Sequence, residues 1–165
     1  MLTLSDVVLR PLRVDDGPAM ARLHVAVWEE AYTGLVPDAI LAQRRAGLHD
    51  RAEHWRRAAQ TSPAATTVAV HDGELVGFVS VGPGRDDDLD LAEELWALYA
   101  RAAWWGHGLG HRMLAATLAD RPAYLWALGG NDRALAFYRR QGFVPDGVER
   151  HEPEGREVRL VRRSR

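Results

Sequence analysis

Apolar residues recur at helical spacing from Met20 through Leu23 and Val27 to Ala31, and short β-branched runs dominate elsewhere. The pattern predicts a strand over residues 7–14 ending at Asp15-Asp16, then a helix capped by Asp16 and stopped near Gly34. Pro37 and Asp38 suit the first turn of a second helix with Ile40 and Leu41 on its apolar side. The arginine-rich stretch that follows, residues 44–57, reads as a solvated helical face. Residues 66–71 and 75–81 are β-rich runs joined at Asp72-Gly73, a dipeptide that accepts the positive φ angles of a tight hairpin. Beyond Pro83-Gly84 lies an acidic cluster, Asp86, Asp87, Asp88 and Asp90. It is expected as a solvated loop, with attraction of a cationic substrate as the alternative.

The second half alternates strands and helices. A strand over residues 95–99 leads into a glycine-rich turn and a helix with Leu109, Met113, Leu114 and Leu118 on one side. A strand over residues 123–128 precedes a helix over 133–141, capped by Asn131 or Asp132 and stopped by Gly142 in the left-handed conformation. Residues 143–150 and 156–163 close the chain as two strands around Pro153-Gly155. The succession is that of an α/β protein.

Composition narrows the chemistry. With 165 residues and no repeat, low-complexity tract or linker, residues 1–165 are expected to form one domain. The 21 basic and 23 acidic residues leave a net charge of -2, too little positive potential to hold a nucleic acid backbone. The chain has no cysteine, which excludes thiolate nucleophiles, thiolate metal sites and disulfides. Every Lys or Arg is an arginine, so a Walker A loop, a kinase lysine and a lysine Schiff base are excluded too. The start of the chain lacks a leader pattern and no run of 18 apolar residues occurs, so a soluble, cytoplasmic protein without membrane association is expected.

Gly106, Gly108 and Gly110 alternate where a strand gives way to the first turn of a helix. Backbone N–H groups there have no helical acceptors and sit at the positive end of the helix dipole, a suitable place for a phosphate. A dinucleotide fingerprint would need G-x-G-x-x-G after the first strand of a βαβ unit, whereas this G-x-G-x-G lies two-thirds of the way along the chain. His107 and His111, four apart, could share a metal ion, but no carboxylate or third histidine accompanies them, and no metal is expected.

Two blocks, WGHGLG at residues 105–110 and GNDRALAFYRRQGF at residues 130–143, resemble in order those of the GNAT superfamily of acyl-CoA-dependent N-acyltransferases. The resemblance covers nearly the whole chain and implies a central mixed, mostly antiparallel twisted sheet of six to seven strands, flanked by about four helices. It implies that acetyl-CoA lies in the V between the fourth and fifth strands, its pyrophosphate on the amides of Trp105, Gly106, His107, Gly108, Leu109 and Gly110. Trp105 departs from the arginine or glutamine usual in the family, and the His107 side chain is placed to brush the phosphates. Leu98, Tyr99 and Ala100 would pair with the pantetheine arm, and Asn131 would contact the cofactor or simply cap its helix.

By the same resemblance Tyr138 is the proton donor to the CoA sulfur, unless it is only a core aromatic beside Leu135 and Phe137. Glu94, 11 residues before Trp105, would be the general base directly or through water. Glu93 is its neighbour on the opposite strand face, and only one of the two can point into a cleft. Trp28 and Tyr32, four apart, would form the acceptor wall or pack in the core. The expected activity is direct acetyl transfer to an amine on a small molecule or peptide, without a covalent enzyme intermediate. A non-catalytic acyl-CoA-binding module and a peptide or protein α-amine acetyltransferase are the alternatives. Homodimer formation through the closing strands is left open.

Overall fold

A computed structural model describes residues 2–164. Its centre is a seven-stranded sheet in the order β1-β2-β3-β4-β5-β7-β6. The strands are β1 (Val8–Pro11), β2 (Thr66–His71), β3 (Glu74–Pro83), β4 (Glu93–Ala100), β5 (Ala123–Leu128), β6 (Val144–Glu152) and β7 (Gly155–Arg162). All neighbours run antiparallel except β4 and β5, which are parallel because α4 (Leu109–Thr117) crosses between them. The other helices are α1 (Gly17–Tyr32), α2 (Asp38–Ala46), α3 (Leu48–Thr61) and α5 (Asp132–Arg140). There are five helices rather than about four because Gly47 ends α2 and starts α3, dividing the arginine-rich stretch.

Local chemistry explains most boundaries. Asp72 and Gly73 take φ of 49° and 79°, the left-handed pair that lets β2 turn directly into β3. Gly142, at φ 89°, ends α5. The first strand is shorter than expected, four residues before a turn at Val14–Asp16. Asp16 does not cap α1 with its side chain, because its carboxylate accepts from Arg10 at 2.7 and 2.9 Å and from the Arg13 N–H at 2.8 Å.

The sheet separates two apolar layers. On one face Met20, Leu23 and Val27 of α1 and Trp55 and Ala59 of α3 close over Val68 and Phe78. On the other, Met113 and Leu114 of α4 and Leu135 of α5 pack on Val79, Leu125 and Phe143. Residues 44–57 are therefore only partly a solvated face: Trp55 is core, Arg44 stacks on Trp28, and Arg51 meets His24. Among the described residues no helix is long and apolar enough to cross a membrane.

The acidic cluster is not simply a solvated loop. Arg159 of β7, only 3% exposed, binds Asp86 at 2.8 Å, Asp88 at 2.7 Å and Asp146 at 2.7 Å. A buried guanidinium needs its charge and donors matched, and these three carboxylates do so while tying the β3–β4 loop to β7. Asp86 and Asp88 are thus engaged within the chain, whereas Asp87 and Asp90 remain exposed. The other closing arginines are also used internally: Arg156 meets Glu149, and Arg162 donates to the carbonyls of Ala119, Arg121 and Gln141.

Candidate active site

The parallel strands β4 and β5 stay in register only at Glu94 and Tyr124, then diverge. A bulge in β4 accompanies the divergence: Ser80 faces Ala97 but Val81 faces Leu95, so Trp96 is the extra residue that bends the strand. Gly82 makes room for it, since a Cβ there would lie 2.1 Å from the Trp96 ring. The fork opens into a cleft of about 350 Å³ lined by Leu98, Gly106, Gly108, Asn131, Arg133 and Tyr138, among others.

At the mouth of the cleft, Gly106 and Gly108 take φ of 75° and 86°, and Gly108 starts α4 without a side-chain cap. Gly110 is required for a different reason: a Cβ there would approach the Phe137 ring to 3.3 Å, so it lets α4 and α5 come together. Nothing lies within 4 Å of where a Gly106 Cβ would stand, leaving the backbone open to a ligand. Leu109 is fully buried and anchors the helix start. The first N–H groups of α4 point out of the helix without intrahelical acceptors, so the turn fits a phosphate-bearing ligand.

On β4 the Arg101 N–H donates to the Val76 carbonyl at 2.9 Å, so strand alternation turns the backbone groups of Leu98 and Ala100 toward the fork. Tyr99 directs its own toward β3 and enters the site through its phenol. The Ala100 carbonyl accepts from the Trp105 indole at 3.0 Å. The face of that indole carries the Arg133 guanidinium, 3.7 Å from the ring centre. His107 is exposed, its Nδ1 bonded to the Trp105 carbonyl at 2.9 Å, and His111 pairs with Gln141 at 2.8 Å. The two histidines do not converge, and among the described residues no group of three His, Cys, Asp or Glu could hold a metal.

Three phenols line the fork. Tyr32 and Tyr99 share a hydrogen bond of 2.8 Å. Tyr138 stands edge-on to Phe137 and Phe143, with ring centres 5.3 and 6.1 Å apart. Burial, reinforced by Tyr32, raises the Tyr138 phenol well above its ordinary range, with Arg133 pulling weakly the other way. Like any phenol it is protonated throughout the physiological range, with a proton to donate. Asn131 is buried at the end of β5, and its side chain accepts from the Ala134 N–H at 3.3 Å, so it caps α5 while lining the cleft.

A second cavity of about 390 Å³ opens on the α1 side of the fork, bordered by Trp28, Tyr32, Arg44, Glu94, Trp96 and Trp126 and by glutamates of the β6–β7 hairpin. Trp28 and Tyr32 pack edge to face at 4.7 Å, and Arg44 covers the other ring at 3.4 Å from the Trp28 centre. Behind them His24 sits among Trp28, Trp55, Phe78 and Tyr99, with its Nδ1 3.0 Å from the Arg51 guanidinium. Burial first, then the Arg51 charge, lowers the His24 pKa to about 3.

Glu94 borders this cavity, 2% exposed, whereas Glu93 pairs with Arg121 at 2.7 Å on the opposite face. The Glu94 carboxylate accepts from Arg85 Nε at 2.9 Å, Arg85 Nη2 at 2.7 Å, the Arg85 N–H at 3.2 Å and the Tyr124 hydroxyl at 3.2 Å. Tyr124 in turn accepts from the N–H groups of Arg85 and Asp86 at 2.6 and 2.8 Å. Sequence reasoning missed Arg85, Tyr124 and Arg133. For Arg133 a signal existed, since a cation in the first turn of a helix opposes the helix dipole and asks for an anion.

A forked sheet with an uncapped helix start at its mouth and a protonated phenol inside suits a long, phosphate-bearing thioester, the donor of an acyltransferase. Residues 62–145 match the acetyltransferase (GNAT) domain, and the chain belongs to that family. It is 25% identical over 150 residues to a probable N-acetyltransferase of Mycobacterium tuberculosis, covering 87% of this chain and 83% of that one. It is 36% identical over 91 residues to an uncharacterised N-acetyltransferase of Mycobacterium bovis, covering 51% of this chain and 55% of that one.

The fold is similar to that of the PaiA N-acetyltransferase of Thermoplasma acidophilum in complex with coenzyme A (TM-score 0.71, 15% identity, 95% of this chain and 98% of that one). A GCN5-related N-acetyltransferase of Rhodopseudomonas palustris is similar as well (TM-score 0.71, 22% identity, 99% of both chains). The chain is thus an acyl-CoA-dependent N-acetyltransferase in general terms.

Proposed function

We propose that the enzyme moves an acetyl group from acetyl-CoA directly to a primary amine in a ternary complex. The observation that carries this reading is the placement of the Tyr138 phenol in the same cleft as the glycine turn. In this reading the amides of Gly106, Gly108, Leu109 and Gly110 hold the pyrophosphate, those of Trp105 and His107 being taken by the Ala102 and Trp104 carbonyls at 3.0 and 3.3 Å; the edge of β4 at Leu98 aligns the pantetheine arm, and Asn131 borders it. Tyr138 then delivers its proton to the departing sulfur as the amine attacks the thioester carbonyl.

The amine enters through the second cavity, where Trp28 and Tyr32 form a wall and four ion-paired glutamates, Glu94, Glu152, Glu154 and Glu157, outnumber the three arginines Arg44, Arg85 and Arg150, a balance that favours an ammonium group. Glu94 removes the proton that attack requires, through a bridging water or after Arg85 swings aside. Its carboxylate is already occupied by Arg85 and Tyr124, so Arg85, on an exposed loop, sets the access of the acceptor to the base. With no cysteine in the chain, the commonest covalent acyl carrier has no candidate.

The test is release of CoA thiol from acetyl-CoA against polyamines, amino acids, aminoglycosides and peptides, for the wild type and Tyr138→Phe. The variant keeps the ring packing on Phe137 and Phe143, so it should bind acetyl-CoA normally while kcat falls about 100-fold, the lower range for a lost general acid. An unchanged kcat would remove Tyr138 from the chemistry. A stable acetylated protein formed from acetyl-CoA alone would overturn direct transfer.

A further inference from the structure

The turn that should cradle the phosphates carries an indole where the family usually has a cationic or amide side chain, and the structure accounts for both faces of the exchange. The Trp105 N–H closes the Ala100 carbonyl at 3.0 Å, which holds the ring in one orientation. On its face lies the Arg133 guanidinium, 3.7 Å from the ring centre, reaching from the first turn of α5 to the turn before α4. We infer that Arg133, positioned by Trp105, is a phosphate-binding residue for the acyl-CoA donor, taking the place of the cation that the turn itself lacks.

Three observations support the assignment, which rests on the acyl-CoA reading above. Arg133 lines the same cleft as Gly106 and Gly108. Among the described residues no carboxylate forms an ion pair with it, in contrast to Arg85, Arg150, Arg156 and Arg159, each of which has an acidic partner. Its guanidinium is seated on the Trp105 ring, 3.7 Å from the centre, which holds it beside the glycine turn. A guanidinium stacked on one face and without an acidic partner keeps its planar donor edge for a ligand, and that edge matches phosphate oxygens two at a time. Stacking on the indole uses the face of the guanidinium and leaves the edge free, so the two interactions coexist.

Calorimetric titration of CoA, dephospho-CoA and S-acetylpantetheine into the wild type, Arg133→Met, Trp105→Phe and Trp105→Ala tests this. Arg133→Met should weaken CoA about 10- to 100-fold, the range of a lost charge-assisted phosphate contact, and leave S-acetylpantetheine unchanged. Weakening of dephospho-CoA as well would assign Arg133 to the pyrophosphate, and weakening of CoA alone to the 3′-phosphate. Trp105→Phe keeps a ring under the guanidinium but loses the N–H to the Ala100 carbonyl, so its CoA affinity should fall between those of the wild type and Trp105→Ala. Trp105→Ala should resemble Arg133→Met, and the double variant should be no weaker than either, because the two side chains act as a unit.

Folding of each variant is read from its melting curve. CoA binding by a folded Arg133→Met within about twofold of wild type would overturn the assignment. So would equal weakening of S-acetylpantetheine, which would make Arg133 a residue that only shapes the cleft. Absence of saturable CoA binding by the wild type would overturn the acyl-CoA reading, and this assignment with it.

Discussion

His24 makes the aromatic cluster around Trp28 sensitive to acid. The imidazole is enclosed by Trp28, Trp55, Phe78 and Tyr99 and lies 3.0 Å from the Arg51 guanidinium, so Nδ1 must accept and the ring must be neutral. Protonation would place a second cation against the first in an aromatic surround. The folded pKa is accordingly lowered to about 3, from the 6.5 of a free histidine. Between these values the unfolded chain binds the proton and the folded chain does not. Stability is therefore full above about pH 6.5 and falls with decreasing pH until about pH 3. At about 1.4 kcal/mol per unit, the loss reaches about 2 kcal/mol at pH 5 and nears 5 kcal/mol at the lower limit.

Urea unfolding at pH 7.5 and pH 5 of the wild type and His24→Phe measures it. Carboxylates with lowered pKa, such as Asp16 and Glu93, titrate in both proteins and cancel in the difference. The wild type should lose about 2 kcal/mol more than the variant across this interval. Equal losses would refute the reasoning, because they would mean that the folded protein accommodates a charged His24.

Arg159→Met should destabilise the protein by about 3 kcal/mol near neutral pH, since Asp86, Asp88 and Asp146 would face one another without their shared cation. A loss under about 1 kcal/mol by denaturant unfolding would show that the network contributes little. Gly108→Ala should cost about 1 kcal/mol in the same measurement, because φ is 86° there, whereas Gly130→Ala, with ordinary φ and nothing within 4 Å of the added methyl, should be nearly neutral. Equal effects of the two alanines would argue that the turn relaxes away from its left-handed geometry.

The elements of this fold are local decisions, and the chain announces most of them. The Asp72-Gly73 hairpin and the end of α5 at Gly142 depend on residues that tolerate positive φ, and the helix of the second block starts at Asn131, whose side chain bonds the Ala134 N–H. The glycine turn was likewise legible as a helix start with open backbone, because exposed N–H groups there need no distant partner. Asp16 shows where such reading ends: its residue type permits a cap, yet its carboxylate is taken by Arg10 across the turn.

The acidic run read as a solvated loop for the same reason. Its partner Arg159 is 73 residues from Asp86 along the chain, and only the β7 position in the sheet brings them together. The occupation of Glu94 by Arg85 and Tyr124, and the seat of Arg133 on Trp105, likewise join residues from separate elements. By itself the sequence determined the order of strands and helices, the backbone cradle and the chemistries that missing lysine and cysteine exclude, all set by residue type and short-range sterics. The tertiary structure decided which charges are paired and which guanidinium is stacked on an indole instead, because such contacts depend on distance in space and not on separation along the chain.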